Sequence, residues 1–227
     1  MSLQTTIYRG AVDMNLKHYI FDLDGTLIDT EHAILKTWQD TLKEYGYEYT
    51  LEEIRVVLGV TTDIGLKKLN ANVDENYICK WQINYEKYCS NADFFDGAKE
   101  MLEFLKENNC SWGAVSSRSK NEYDKYFRQF NLEEFFTTIV LEDDTTNHKP
   151  YPDPLFKYME LTGADKYSCI YIGDMPTDIQ CANNAGVISG LVAWNNSGVS
   201  CSDAKMSFSD PKEVCNLVNA AVCSSSY

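Results

Sequence analysis

The chain has 227 residues, of which 44% are hydrophobic and 24% are charged, and its formal net charge at pH 7 is −14. These values suit a globular protein with one large domain, or with a core domain that carries a smaller insert. No run of about 18 apolar residues is present, so no membrane partner is expected, and the acidic balance also argues against a nucleic-acid partner.

The amino-terminal segment and a first strand open the chain. Residues 1–13 lack the long apolar stretch of a secretory signal and are interpreted as a leader or tag, with Met14 as a candidate native start. Residues 17–21, KHYIF, form a short apolar run that continues into DLDGTL. This pattern predicts a buried strand followed by a tight glycine turn.

A helical block follows the turn. Helical periodicity, a stop near Gly46 and a capping box at Thr50 predict successive helices with no strand between them. We expect residues 29–95 to form a small all-helical cap, inserted after the first strand into a core of residues 14–28 and 96–227. The predicted helices of the cap span residues 31–45, 50–58, 64–69 and 75–89.

The rest of the chain alternates between helices and strands. Asp96 is placed to cap a helix over residues 97–108, and a capping box at Ser119 predicts a helix that continues to Phe130. The alternation is typical of an α/β protein with a doubly wound parallel sheet, whose ligands bind at the carboxyl ends of the strands. The other predicted elements are strands at 112–115, 138–141, 169–172, 190–194 and 206–208, and helices at 153–163, 177–185 and from 210 onward.

Polar side chains that could take part in catalysis or metal binding directly follow three of the predicted strands. Asp22 and Asp24 lie at i and i+2 on the same side of an extended chain, so one carboxylate can attack phosphorus while the other transfers a proton. A divalent cation between them would remove their repulsion of an anionic substrate. Ser116 can donate to a phosphate oxygen, and Asp174 with Asp178 one helical turn later suits metal binding.

Lys149, in the segment HKPYPDP, would offset the negative charge of a phosphoryl group and of the attacking carboxylate. Taken singly, several of these residues have ordinary alternatives. Ser116 can be a turn residue, Lys149 a surface lysine before a proline-rich turn, and Asp178 a charge at a helix N-terminus. Their order and spacing are more specific than any one of them.

The segments DLDGTLIDT, VSS, KPYPDP and IGDMPTDIQCANNAG, in this order, resemble the haloacid dehalogenase superfamily over residues 17–194. The likeness is greatest to the phosphoglycolate-phosphatase-like branch, whose helical cap is inserted just after the first motif. The segment GLVAW, residues 190–194, also resembles that branch and its pyrophosphatase relatives. The resemblance implies a Rossmann-like core and a cap that closes over the substrate and selects it.

The resemblance also implies a role for each motif residue. Asp22 would be the nucleophile that forms an aspartyl phosphate, and Asp24 the general acid and then the general base. Ser116 and Lys149 would hold the phosphoryl oxygens. The implied Mg²⁺ ligands are Asp22, the Asp24 backbone carbonyl and Asp174, with Asp178 supporting the metal site or orienting Lys149. The substrate contacts are expected at Thr26, Ser117 and Arg118.

The favoured function is Mg²⁺-dependent hydrolysis of a small phosphate monoester, phosphoglycolate-like, or of pyrophosphate. The alternative is a β-phosphoglucomutase-type transfer, but those mutases carry a lysine before a cap glycine and an arginine three residues after it. This chain has Leu58 and Thr62 at these positions around Gly59, although Arg55, Lys67 and Lys68 lie nearby. Asp24 argues against dehalogenation, and the complete motif set argues against an inactive binding scaffold.

The eight cysteines indicate a reducing compartment. No two of them lie at a C-x-x-C spacing, and no histidine lies at a zinc-finger distance from them. Scattered reduced thiols in a cytoplasmic enzyme are the favoured interpretation. We therefore expect a cytoplasmic monomer or homodimer whose partner is a small phosphorylated metabolite.

Overall fold

The structure is a computed structural model that describes residues 16–108 and 110–224. The predicted leader or tag, residues 1–13, lies outside these residues. The chain divides into two compact units, one built from residues up to Leu27 and from Phe94 onward, and one from Ile28 to Asp93. None of the described helices combines the length and the hydropathy needed to span a bilayer.

The first unit is built on a six-stranded sheet in which every described strand pairing is parallel. The strands are His18–Phe21 (β1), Ser111–Val115 (β2), Thr138–Val140 (β3), Cys169–Gly173 (β4), Ile188–Val192 (β5) and Met206–Phe208 (β6). Their order across the sheet is β3-β2-β1-β4-β5-β6, so after β3 the chain crosses to the other side of β1. This order confirms the predicted doubly wound α/β core.

The second unit is mainly helical, because buried apolar residues recur at helical spacing along its segments. Its helices are Glu31–Glu44 (α1), Leu51–Ile54 (α2), Thr62–Lys68 (α3) and Tyr77–Tyr85 (α4), with short 3₁₀ turns at Arg55–Val57 and Cys89–Asn91. The Thr50 capping box is present. As expected, no strand lies between these helices in residues 31–85, all of which the structure describes; a short two-stranded sheet, Ile28–Asp29 with Asp93–Phe94, forms where the chain enters and leaves the helical block.

The remaining helices belong to the first unit. They are Ala98–Glu107 (α5), Lys120–Glu122 (α6), Asp153–Thr162 (α7), Pro176–Ala185 (α8) and Pro211–Ser224 (α9). Helix α7 contacts β2 and β3, and α8 contacts β4 and β5, so the sheet is covered where its strands are most buried. The buried cluster beneath α7 and α8 includes Ile20, Val115, Val140, Leu155, Tyr158 and Tyr171.

Two helix predictions differ from the structure. Asp96 does not cap α5, because Gly97 occupies the N-cap position with φ +80 and no side chain caps the helix. The helix expected from Ser119 to Phe130 is α-helical only over α6, after which Tyr123–Phe127 widens into a π-helical turn and Arg128–Phe130 tightens into a 3₁₀ turn. Tyr123, Tyr126 and Phe127 are buried along this irregular path.

Candidate active site

The motif residues gather at one edge of the sheet. Asp22, Ser116 and Asp174 follow the last residues of β1, β2 and β4 directly. The three strands are in register, since Phe21 lies beside both Ala114 and Ile172. Because the strands are parallel, their carboxyl ends meet at the same edge. The three motif side chains are buried there, so their polar atoms need hydrogen-bond partners from neighbouring residues.

Lys149 lies at the centre of this cluster. Its Nζ donates to Asp22 Oδ1 at 2.8 Å, to Asp178 Oδ1 at 2.7 Å and to the Tyr171 hydroxyl at 3.2 Å. Burial acts to lower the pKa of Lys149, but the charges of Asp178 and Asp22 outweigh it and raise the pKa above its ordinary value. The side chain is therefore a fixed ammonium beside the Asp22 carboxylate.

The carboxylates of Asp22, Asp174 and Asp178 lie close together, with one oxygen of each within 4.8 Å of the others. Burial, reinforced by the charges of Asp178 and Asp24 and opposed by Lys149, raises the pKa of Asp22 to about 7. Burial and the charges of Asp178 and Asp22 raise the pKa of Asp174 well above its ordinary range. Three buried carboxylates face a single ammonium, so the site is short of positive charge.

This arrangement fits a hard divalent cation such as Mg²⁺. Magnesium prefers oxygen ligands and is commonly held by one or two carboxylates together with water and substrate phosphate. A bound cation would also balance the excess negative charge of the cluster. Asp22 and Asp174 are the favoured candidate ligands, because Asp178 accepts from the Lys149 ammonium, the Tyr171 hydroxyl and the Met175 N–H, whereas within the described chain Asp174 accepts only from two neutral side chains.

Asp178 joins the helix α8 terminus to the lysine. Its Oδ2 accepts from the Met175 backbone N–H at 3.0 Å, while its Oδ1 receives Lys149 Nζ and lies 3.1 Å from the Tyr171 hydroxyl. The Asp178 side chain is 1% exposed. These contacts favour the interpretation in which Asp178 orients Lys149, one of the two roles that the sequence left open.

Asp174 is fixed by side chains from two loops. Thr26 Oγ1 donates to its Oδ1 at 3.2 Å, and Asn195 Nδ2 donates to its Oδ2 at 3.1 Å. The same amide reaches the Gly25 carbonyl at 2.8 Å, and Trp194 Nε1 donates to the Thr26 carbonyl at 2.9 Å. Thr26, expected as a substrate contact, therefore also orients a candidate metal ligand.

Sequence reasoning did not assign Asn195 or Trp194 to the site. They follow β5 in a loop that carries no charged motif, and the only available signal was the likeness of the GLVAW segment to the phosphatase branch. Tyr171 was also missed, because it lies within β4 and reads as an ordinary apolar strand residue. The contact of its hydroxyl with Lys149 depends on the tertiary structure, which brings β4 next to the loop that carries Lys149.

Gly25 allows the first motif to approach Asp174. Its φ is +76, a conformation that glycine adopts readily. A Cβ at this position would lie 2.4 Å from Asp174 Oδ2. The glycine of the DLDGT motif is thus required both by the turn and by the space that the carboxylate occupies.

Asp24 and Arg118 form an ion pair. Arg118 Nε donates to Asp24 Oδ2 at 3.0 Å, and its Nη2 donates to Asp24 Oδ1 at 2.8 Å. Arg118 was expected to contact substrate, but its guanidinium is directed at Asp24 and at Glu122. Ser117 is half-buried in the same loop, and its substrate contact stays a prediction.

Comparisons with known proteins identify the family of the chain. A family model described as haloacid dehalogenase-like hydrolase matches residues 19–192. A protein of Caldanaerobacter subterraneus subsp. tengcongensis that carries a pyrophosphatase PpaX name is 32% identical over 80% of this chain and 84% of its own length. The pyrophosphatase PpaX of Oceanobacillus iheyensis is 30% identical over 80% of this chain and 86% of its own.

A solved structure from Lactobacillus plantarum, whose name places it among phosphoglycolate phosphatases, matches with a TM-score of 0.81. The match covers 89% of this chain and 99% of that chain, at 21% sequence identity. At this identity the likeness establishes the shared fold.

Proposed function

The chain belongs to the haloacid dehalogenase-like hydrolase family, and on this premise we propose that it is a Mg²⁺-dependent phosphatase. The proposed substrate is a small phosphate monoester, phosphoglycolate-like, or pyrophosphate. The observation that carries the proposal is the buried ion pair between Lys149 Nζ and Asp22 Oδ1, which are 2.8 Å apart. The Asp174 carboxylate lies close to this pair. The pyrophosphatase names of its relatives support the same reaction class.

Asp22 is the proposed nucleophile. A carboxylate oxygen of Asp22 forms a bond to phosphorus while the bond from phosphorus to the leaving-group oxygen breaks. Lys149 holds Asp22 in place through Oδ1 and lies where an ammonium would offset charge on the phosphoryl oxygens. Ser116, at the end of β2, is proposed to donate to one of these oxygens.

Asp24 is the proposed proton carrier. In the first step its carboxyl proton passes to the leaving-group oxygen. In the second step its carboxylate takes a proton from water, the water oxygen bonds to phosphorus, and the carboxylate of Asp22 is released. Free phosphate leaves and Asp24 is protonated again, so one molecule of water is consumed for each ester cleaved.

Asp22, Asp174 and the Asp24 backbone carbonyl would hold Mg²⁺, which supplies positive charge to an anionic substrate when it is bound. Thr26 and Asn195 fix the Asp174 carboxylate on both of its oxygens. Such supporting hydrogen bonds orient metal ligands, and their loss commonly costs about 10–100-fold in metal affinity or activity.

The β-phosphoglucomutase alternative requires a cationic site for a second phosphate. Arg55 was one candidate, but its Nη1 and Nη2 pair with Glu31 at 2.5 and 3.1 Å within the helical unit. Lys68 Nζ donates to the Val56 carbonyl at 3.1 Å. These two cations are therefore engaged within their own unit, which favours the hydrolase.

Phosphate release from a panel of phosphorylated metabolites, with and without Mg²⁺, tests the proposal. The panel contains phosphoglycolate, pyrophosphate, sugar phosphates and nucleotides, and at least one member should release phosphate only when Mg²⁺ is present. Equal turnover in excess chelator would refute the metal dependence. Absence of phosphate release from every member of the panel, pyrophosphate included, would refute the phosphatase.

A separate assay distinguishes the mutase. The enzyme is given β-glucose 1-phosphate with a catalytic amount of the bisphosphate, and the products are followed by NMR. Free phosphate, or no reaction, agrees with the hydrolase. Stoichiometric glucose 6-phosphate without phosphate release would establish the mutase instead.

A further inference from the structure

The hydroxyl of Tyr171 lies where three parts of the site meet. Tyr171 belongs to β4 and is 0% exposed, and Lys149 Nζ donates to its oxygen at 3.2 Å. The same oxygen is 3.1 Å from Asp178 Oδ1 and 3.1 Å from the carbonyl oxygen of Val115, so its single proton lies within donating distance of both. The hydroxyl therefore ties the lysine to α8, which carries Asp178, and to the end of β2.

This contact completes the set of acceptors around Lys149. An ammonium group carries three N–H donors. Two of them meet Asp178 Oδ1 at 2.7 Å and Asp22 Oδ1 at 2.8 Å, and the third meets the Tyr171 hydroxyl. Two carboxylates alone would let the ammonium tilt about the line that joins them, whereas a third acceptor fixes its orientation. Tyr171 therefore restrains Lys149 in a direction that the carboxylates leave free.

The position of Lys149 matters for the proposed reaction, because a charge that is already in place stabilises a transition state without reorganisation. A misplacement of about 1 Å can cost about 10²-fold in rate. Val115, whose carbonyl lies against the Tyr171 hydroxyl, directly precedes Ser116. The hydroxyl is thus a common point of reference for both groups that are proposed to hold phosphoryl oxygens.

Substrate contact and core packing account less well for this hydroxyl. Tyr171 is completely buried within a strand, so it does not face a substrate. Its ring belongs to the buried cluster that includes Ile20, and a phenylalanine ring would fill the same space. Tyr19, in the neighbouring strand β1, is also 0% exposed, and its hydroxyl meets no hydrogen-bond partner within the described part of the chain. Burial of a tyrosine in this sheet does not by itself produce such contacts.

We propose that Tyr171 is a positioning residue whose hydroxyl holds the Lys149 ammonium where its charge stabilises the phosphoryl group in the transition state. The inference rests on the proposed phosphatase function and adds a residue that acts through Lys149 without touching the substrate. Loss of the hydroxyl leaves the charge of Lys149 in the site but releases its orientation. An interaction that matters mainly in the transition state changes kcat and kcat/KM together and leaves KM nearly unchanged.

The experiment compares Tyr171→Phe with wild type in the presence of Mg²⁺, on the member of the phosphometabolite panel that wild type cleaves fastest. We expect kcat and kcat/KM to fall together by about 10–100-fold. KM should stay within about twofold of its wild-type value. The matched control is Tyr19→Phe, which removes an equally buried hydroxyl from the neighbouring strand and should change neither constant.

Inhibition by orthovanadate separates a mispositioned lysine from a smaller fraction of folded enzyme. Bound vanadate adopts the five-coordinate geometry of a phosphoryl group in transfer, so its inhibition constant reports stabilisation of the transition state. For Tyr171→Phe this constant should rise in proportion to the fall in kcat/KM, while that of the product, inorganic phosphate, stays nearly unchanged. A loss of folded protein would lower kcat but would leave both inhibition constants at their wild-type values.

The outcomes separate the inference from the function on which it rests. If wild-type enzyme releases phosphate from no member of the panel, the proposed function fails whatever the variants do. If wild type is active but Tyr171→Phe keeps its kcat, or loses kcat without weaker inhibition by vanadate, the hydroxyl does not position Lys149 and the inference is wrong. Failure of Tyr171→Phe to fold under conditions in which Tyr19→Phe folds would show that the hydroxyl is structural, which would also overturn it.

Discussion

At the scale of single residues, the centre of the site is an excess of buried negative charge held by one lysine. Asp22 and Asp178 pair with the ammonium of Lys149, and the Asp174 carboxylate lies close to both of them. Burial and mutual repulsion raise the pKa of Asp22 to about 7 and raise that of Asp174 well above its ordinary range. Such a cluster costs stability in the absence of a cation, which is common where groups are arranged for chemistry rather than for packing.

Substitution of Asp22, the proposed nucleophile, separates its effect on the reaction from its effect on stability. Asp22→Asn should lower phosphate release by about 10³-fold or more, because an amide cannot form the acyl phosphate. The metal-free variant should unfold at the same temperature as wild type or higher, since one member of the like-charge cluster is lost. Phosphate release and thermal unfolding by circular dichroism measure the two effects.

The control for this variant is Asp203→Asn, an exposed aspartate, which should change neither activity nor stability. A rate for Asp22→Asn within about tenfold of wild type would be far above the loss expected for a missing nucleophile and would show that another group attacks phosphorus.

Alanine substitutions at Gly25 and Gly163 form a matched pair that tests the close approach of Gly25 to Asp174. Both have positive φ, +76 and +71, but only at Gly25 would a Cβ meet a neighbour, 2.4 Å from Asp174 Oδ2. Gly163→Ala should lose about 1 kcal/mol of stability from backbone strain and keep full activity. Gly25→Ala should show the same strain and also lose about 10–100-fold in kcat, because a candidate metal ligand is displaced.

Denaturant unfolding and steady-state kinetics on both alanine variants measure these losses. Equal activity of the two variants would show that the space beside Gly25 does not position Asp174.

At the scale of elements, the Trp38 side chain of helix α1 packs directly against helix α3 at Gly65. Gly65 lies on α3, and a Cβ there would be 2.8 Å from Trp38 Cη2 and 3.3 Å from Val57 Cβ. Trp38 is buried on α1 and also contacts the Tyr77 ring of α4, with the centroids 5.6 Å apart. The glycine therefore serves the packing of the indole rather than a turn.

Gly65→Ala should be destabilising for this reason. Alanine normally stabilises a helix by about 0.5–1 kcal/mol relative to glycine, but overpacking of a buried contact costs about 1–3 kcal/mol. We expect a net loss near 1 kcal/mol in urea unfolding. The double variant Trp38→Phe/Gly65→Ala should lose less than the sum of the single variants, since the smaller ring makes room for the methyl group. A more stable Gly65→Ala protein would contradict the close contact.

At the scale of the whole molecule, cation binding should be linked to folding. A ligand that binds only the folded state at 100 times its Kd stabilises it by about 2.7 kcal/mol. For a chain of this size that corresponds to a rise in Tm of about 5–10 °C. Chelator-treated protein should show this rise on addition of Mg²⁺, whereas Asp174→Asn should show little of it.

Sodium chloride at matched ionic strength controls for general screening of the acidic chain. An equal rise in Tm with sodium would mean that the carboxylate cluster binds no specific cation, which would contradict the proposed metal site.

The sequence alone determined the architecture and the identity of the motif residues. Apolar runs alternating with amphipathic segments specify a parallel sheet, and the polar residues that follow Phe21, Val115 and Gly173 must then share one edge. These are local patterns, so they can be recognised without tertiary contacts. The element boundaries differed from prediction at the start of α5, where Gly97 with φ +80 takes the N-cap position, and after α6, where the helix becomes irregular. Local helix signals do not contain the tertiary contacts that decide where a helix begins and ends.

Only the tertiary structure decided which partner each functional side chain takes. Lys149 meets Asp22 across 127 positions of sequence, and Arg118 meets Asp24 across 94. Asn195 reaches Asp174 from a loop with no recognisable motif. Such pairs depend on how separate loops converge over the sheet edge, and the direction of a side chain there is set by the charges and space that its neighbours provide. The sequence therefore supplied the candidate catalytic groups, while the fold determined that Arg118 faces the Asp24 carboxylate.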